Sequence, residues 1–334
     1  MLSGTIGTTD PDSHLIRQHL IQIGTQRDCQ VTSVNNSGVD VMPTVDRTAI
    51  ITDSTVSLSH TLVRELGITL VPMRVILNNR TYRDGIDITP MQVYQHLRAS
   101  GPIPTTAAPS PGDFLQAFQE ATTTTNHILC LTLSSRLSAT YDAAISAANI
   151  MRNRCPGLEI RVVDSGTAAG AQTILAVLAA RQARVGAQLN KIEALIQNSK
   201  RKVYMLAMMD TLYFAAKGGR VPRPVAWIGN LLQIKPVLGL QPEGNIRLLA
   251  RPRTRGRAFD CLLRLTDSYV SGSEIIVNIV HADASEDAAT LKKYVEENYS
   301  CTEVFTTEMS PVIGTHTGPG LVGLAFCLNP YDSF

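Results

Sequence analysis

The chain has 334 residues, 44% hydrophobic and 17% charged, with a formal net charge of +2 at pH 7. That length suits two domains better than one ordinary core, and the apolar content excludes a disordered chain. The near-neutral balance supplies no basic field for nucleic acid, and the longest wholly apolar run, Ile174 to Ala180, is far shorter than the roughly 20 residues of a membrane-spanning helix.

Residues 1–45 read as an N-terminal extension. They hold one amphipathic stretch, Ser13 to Ile23, and no basic segment followed by a long apolar core, so no secretory signal is expected. From Ala49 onward strands and helices alternate. Strand-like runs fall at Ala49–Thr52, Ile68–Leu77, His127–Leu133, Leu158–Val163, Val203–Met209, Ile275–Val280 and Leu321–Leu328. Helical periodicity occupies Leu58–Leu66, Met91–Leu97, Phe114–Ala121, Ala139–Arg152, Ala171–Arg184, Ile192–Gln197, Ala258–Tyr269 and Asp287–Tyr299. Thr89-Pro90-Met91-Gln92 is a capping box with proline at the first helical position, and Gly67 closes the helix before it. Alternation of this kind implies a mostly parallel buried sheet. The second half is less regular and should mix strand directions. A charged helix around Lys191–Lys202 places a boundary near residue 195, giving an α/β domain over 46–195 and a second over 196–330.

Ligands in open α/β sheets bind beyond the carboxyl ends of the strands. Three predicted strands end there in hydroxyl-rich turns: Asp53-Ser54-Thr55, Ser134-Ser135 and Asp164-Ser165-Gly166-Thr167. Asp53 and Asp164 are expected to organise backbone; the hydroxyls serve either ligand or helix capping. The sequence lacks a phosphate-binding P-loop, a dinucleotide fingerprint after the first strand and a GxSxG elbow, since Gly166-Thr167-Ala168-Ala169-Gly170 has alanine at the nucleophile position. Six scattered cysteines without a CxxC pair read as free thiols of a reducing cytoplasm. Seven dispersed histidines argue against a zinc site. No cofactor or metal is expected. What remains is hydroxyls, glycines, arginines and histidines, a set that binds anions.

Four segments concentrate those groups: Pro104-Thr105-Thr106-Ala107-Ala108-Pro109-Ser110-Pro111; Ser134-Ser135-Arg136-Leu137-Ser138-Ala139-Thr140-Tyr141; Lys217-Gly218-Gly219-Arg220-Val221 with the later Ile234-Lys235-Pro236-Val237-Leu238; and Gly314-Thr315-His316-Thr317-Gly318-Pro319-Gly320. With Thr52-Asp53-Ser54-Thr55, they resemble the DegV family of bacterial fatty-acid-binding proteins over roughly residues 47–328. The resemblance implies an N-terminal three-layer α/β/α domain with a mostly parallel sheet, and a C-terminal α/β domain with a mixed sheet. A long-chain fatty acid such as palmitate lies between and within the two. It further implies a cytoplasmic lipid carrier, not an enzyme, that presents the carboxylate to a separate ATP-dependent fatty acid kinase, with no nucleic-acid partner and with transient membrane contact left open.

Residue by residue, the resemblance assigns the carboxylate to Thr106, Ser138 and His316, and a supporting headgroup or interface role to Ser54, Ser135, Thr140, Arg220 and His281. Ala107 and Ala108 stand where serine and glutamine are usual in the family, and Ala139 stands where glycine is usual. Ser138 is expected to cap helix 139–152, so that its hydroxyl and the free first-turn N–H groups face one point that the helix dipole makes positive. Arg251, Arg253, Arg255 and Arg257 would share one face of a strand, as a solvated edge or as a docking face for an acidic partner. The alternative function is a stand-alone acyl- or phosphoryl-transfer enzyme using His316 and Arg220.

Overall fold

The computed structural model describes residues 47–99, 101–221, 234–240 and 244–330, so the expected extension lies outside the described residues. Three sheets organise the chain. The first is wholly parallel, order β2-β1-β6-β7, from β1 (Ala49–Asp53), β2 (Ile68–Val71), β6 (His127–Thr132) and β7 (Glu159–Asp164). The second is mixed, order β10-β9-β8-β13-β11-β12, from β8 (Val203–Met208), β9 (Val237–Leu240), β10 (Ile246–Ala250), β11 (Ile275–His281), β12 (Cys301–Glu308) and β13 (Val322–Leu328). The third is a small antiparallel sheet, β4-β3-β5, from β3 (Arg74–Leu77), β4 (Arg80–Arg83) and β5 (Thr105–Ala107).

Helices separate these sheets into layers. They are α1 (His60–Leu66), α2 (Pro90–Arg98), α3 (Pro111–Ala121), α4 (Thr140–Arg154), α5 (Ala169–Arg184), α6 (Leu189–Ser199), α7 (Tyr213–Lys217), α8 (Arg255–Val270), α9 (Ser285–Asn298) and α10 (Pro311–Thr317). Strand alternation assigns the faces. Ile51, Ile128 and Cys130 pack with Phe114, Phe118, Ala144 and Met151 of α3 and α4. Their neighbours Ile50, Leu129 and Leu131 face α5. On the mixed sheet, Leu206, Val277, Ile279 and Phe326 meet Leu262 and Leu291 of α8 and α9, while Met205, Ala207, Ile276 and Val280 turn to α5.

Helix α5 therefore lies between the two large sheets. Thirteen of its 16 residues are buried, which explains why its sequence shows no polar stripe. Its alanines and glycine permit the close approach: a Cβ on Gly170 would lie 2.5 Å from Cγ1 of Val280 on β11.

The predicted strand Ile68–Leu77 is two strands in different sheets, because Pro72 cannot donate to a ladder. Strands β4, β5, β9, β10 and β12 and helices α7 and α10 add to the predicted set. The capping box at Thr89 and Gln92 is present, and Gly67 closes α1 at φ +65°. Free thiols are found at Cys130, Cys261, Cys301 and Cys327, whereas Cys155 is disulfide-bonded, against expectation.

Candidate functional site

Beside the amino end of α5, where the three sheets converge, lies a cavity of about 140 Å³, roughly ten times the space one water needs. Among the described residues 24 line it, nineteen of them apolar; the five polar ones are Thr106, Ser138, Arg220, His316 and Thr317. The sequence singled out four of those five, from segments more than 200 residues apart.

Each arrives on a different element. Strand β5 pairs with β3, with Thr106 opposite Val75, and so turns Thr106 toward α10. There Oγ1 of Thr106 lies 2.8 Å from Nε2 of His316. His316 belongs to the last turn of α10. Burial, with Arg220 as the lesser cause, pushes its imidazole down to about 4, so the ring is neutral at pH 7. Nδ1 is buried without a partner. An orphaned acceptor costs less than an orphaned N–H, which assigns the proton to Nε2. His316 then donates to Thr106, and the threonine O–H is left to donate into the cavity.

Gly218 fixes the other side of the ring: a Cβ there would lie 2.3 Å from Nδ1 of His316. Gly218→Ala should push the imidazole off Thr106 and weaken ligand binding at least about tenfold with little loss of fold, since α7 ends at that residue. Titration of the variant against wild type, with a thermal melt of each, checks this. Arg220 donates from Nη1 to the Gly218 carbonyl at 2.7 Å. No carboxylate pairs with it among the described residues. A half-buried cation without a counter-ion beside hydroxyl donors is a receptor for an anion.

Ser138 corrects one expectation. Helix α4 starts at Thr140, its N-cap is Ala139, and no side chain caps it. The turn 134–138 closes on the Ser134 carbonyl, which accepts from Leu137 and Ser138 N–H at 2.9 and 3.2 Å; the helix is delayed accordingly. The Ser138 hydroxyl instead shares a 2.9 Å hydrogen bond with Oγ1 of Thr140 and lines the cavity. Thr140 thus supports Ser138 from behind. Ala139 sits at φ −76°, so this position does not need glycine. Ala107 and Ala108 present methyl groups to the cavity where the family pattern has serine and glutamine.

The remaining sequence-predicted residues lie outside the cavity lining. Ser54 donates to Asp84 at 2.5 Å and accepts from Met73 N–H at 3.0 Å, so it organises a loop. Ser135 donates to Asp164 at 2.6 Å. Asp53 accepts from Leu133 N–H at 2.7 Å and from Gln172 at 3.1 Å, the backbone role expected of it. Burial pushes the Asp53 carboxyl up and the His281 imidazole down; the His281 carbonyl holds Met309 N–H at 2.8 Å.

The arginine stretch is not a strand. Thr254 accepts from Arg257 N–H and starts α8, so Arg255 and Arg257 are helical while Arg251 and Arg253 precede the helix. Arg255 is half-buried and held by partners within the chain: it donates to Asp287 at 2.9 Å, to Asp210 at 2.7 Å and to the Gly320 carbonyl at 2.9 Å. It braces the loop after α10 and is not available for docking. Arg251, Arg253 and Arg257 are exposed.

Besides Thr317, two residues escaped the sequence reading. Gly218 stood in a motif whose arginine drew the attention. Asp84 reads locally as an ordinary Asp-Gly turn, yet it is buried and accepts from Val312 N–H at 3.0 Å at the start of α10. No local pattern reveals a partner 228 residues away.

Comparison with known proteins places the chain in a family. The model of the DegV family, whose description is that of an uncharacterised protein, matches residues 47–329. A DegV domain-containing protein of Clostridium perfringens is 31% identical over 280 residues, covering 83% of this chain and 96% of that one. Among solved structures, a Thermus thermophilus DegV family protein described for fatty acid binding is 32% identical with a TM-score of 0.78, covering 84% of this chain and 99% of its own. DegV of Bacillus subtilis, described as a fatty acid binding protein, is 26% identical with a TM-score of 0.76, covering 85% and 99%.

Proposed function

Because the chain belongs to the DegV family, we propose that it binds a long-chain fatty acid, with the acyl chain in the apolar cavity and the carboxylate on Thr106, Ser138, His316 and Arg220. The single observation that carries this reading is the composition of that cavity, in which the polar wall residues are almost all headgroup candidates and the rest are apolar. Each buried methylene contributes about 0.8 kcal/mol, so a chain of about sixteen carbons gains on the order of 10 kcal/mol gross before ordering costs. The tail supplies affinity, and the polar groups fix which end stays at the mouth.

The protein acts as a carrier that presents the carboxylate to a separate kinase. A neutral imidazole with its conjugate acid near pH 4 is a poor base at pH 7, which disfavours stand-alone acyl or phosphoryl transfer through His316 and Arg220. The kinase-docking face takes in the exposed Arg253 and Arg257, with Arg251 beside them. No helix among the described residues is long and apolar enough to cross a membrane.

Mass spectrometry of lipid extracted from purified protein, followed by titration of delipidated protein with palmitate, tests the reading. A stoichiometric fatty acid that rebinds supports it. Protein that is empty and does not bind palmitate overturns it, and acyl phosphate formed from ATP without any partner would favour the transfer enzyme.

A further inference from the structure

Sulfur is concentrated in the cavity wall. The chain has nine methionines in 334 residues, and four of them, Met73, Met205, Met209 and Met309, are among the 24 residues of the lining. Random placement would put fewer than about one there. None of the described lining residues is phenylalanine, tyrosine or tryptophan. The four methionines are held on separate elements: Met73 follows β2, Met205 and Met209 come from β8 and its end, and Met309 follows β12. All four are at least nine-tenths buried, so their side chains have the cavity as their free volume.

A thioether side chain is unbranched, with three rotatable bonds and a polarisable sulfur. It fills irregular space and re-packs at small cost. Aromatic walls do the opposite, since stiff side chains reject a chain whose shape differs from theirs; Val221, Ile246, Val312 and Ile313 are the stiff, β-branched part of this wall, against which the methionines adjust. Protein surfaces that accept many partners use methionine for this reason.

Resting on the fatty-acid reading above, we propose that Met205, Met209 and Met309 make this carrier broad in acyl shape, so that cis-unsaturated and methyl-branched chains bind about as well as straight saturated ones. The headgroup end is rigid: the Thr106 to His316 bond and the Gly218 contact hold it. Shape tolerance is confined to the wall around the tail. Among the remaining lining residues, alanines such as Ala168, Ala169 and Ala207 leave the room into which the thioethers move.

The test is a titration of delipidated full chain with stearate, cis-9-octadecenoate and a methyl-branched saturated acid of similar length. Wild type should hold all three within about threefold, where a shaped hydrophobic pocket discriminates by about tenfold or more. The triple variant Met205→Leu, Met209→Leu, Met309→Leu keeps volume nearly constant and should move at least one affinity ratio by about fivefold or more. Norleucine incorporated at the methionine positions keeps the flexible chain and removes the sulfur; the ratios should stay as in wild type. A wild type that discriminates tenfold overturns the proposal, as does a folded leucine variant with unchanged ratios. If none of the three acids binds wild type, the fatty-acid reading itself fails, a result distinct from either.

Discussion

Replacing Thr106 by valine is expected to weaken palmitate binding by about 10- to 100-fold while the fold survives, because valine keeps the shape and suits a strand, and only the hydroxyl is lost. The loss has two parts. The bound carboxylate gives up a charge-assisted donor, and Nε2 of His316, 2.8 Å away, gives up its acceptor. Replacing His316 by alanine should have a similar effect, and the double replacement little more than the worse single one, since bonded groups act as a unit. Titration calorimetry on the four proteins measures the coupling. Single variants that bind within about twofold of wild type would remove these residues from the headgroup site.

The pH response of the same site follows from His316. Its folded pKa lies near 4, below the ordinary 6.5. As pH falls from 6.5 to 4 the unfolded imidazole takes a proton that the native one refuses, so His316 withdraws stability from ligand-free protein across that window. His316→Gln should lack this component. Above pH 6.5 His316 contributes no pH dependence.

How much of this was legible in the sequence follows from what carries each feature. Helices α2, α3, α6 and α8 announce themselves by an apolar stripe on one face, whereas α5 and strands β1, β6, β8, β11 and β13 announce themselves as apolar runs because they are buried on both faces. β12, at the edge of the mixed sheet, does not. β12 follows α9 without an apolar run, and only Thr307 of its eight residues is buried. Helix α10 carried a legible start, Ser310-Pro311, but seven residues with Gly314 inside read as loop. That glycine is there because Tyr94 lies against it; a Cβ would be 2.7 Å from the tyrosine ring. The proposed headgroup residues carry a family pattern, and their convergence is written in neither composition nor spacing. Thr106 and His316 are 210 positions apart, and only the β3–β5 pairing and the seating of α10 bring them together. The arginine stretch failed for a local reason: alternate spacing fits a strand, yet Thr254 caps a helix within it.

The residue the sequence concealed most completely makes the sharpest test of how the site is held. Asp84 is 2% exposed; it accepts from Ser54 and Val312, and Ser310 also bonds it. It thereby fixes the start of the helix that carries His316. Asp84→Ala leaves those donors without an acceptor inside the protein, at a cost of about 3 kcal/mol or more, and fatty-acid affinity should fall with it because α10 loses its anchor. Asp84→Asn behaves differently. Burial, the largest cause, raises the carboxyl from 3.8 to about 6, so the charged form is the strained one above pH 6. Asparagine stands in for the protonated acid. The native carboxyl binds its proton before the unfolded one does, so Asp84 contributes stability that grows as pH falls from about 6 toward 3.8, on the order of 3 kcal/mol and opposite in sign to the His316 contribution over the same window. The asparagine variant should lack that gain and lie within about 1 kcal/mol of wild type, or above it, at pH 8. Denaturant melts at pH 8 and pH 4 for the three proteins separate the outcomes. An alanine variant as stable as wild type, or parallel pH profiles for wild type and the asparagine variant, would mean that the buried carboxylate neither anchors α10 nor carries charge against the grain of its surroundings.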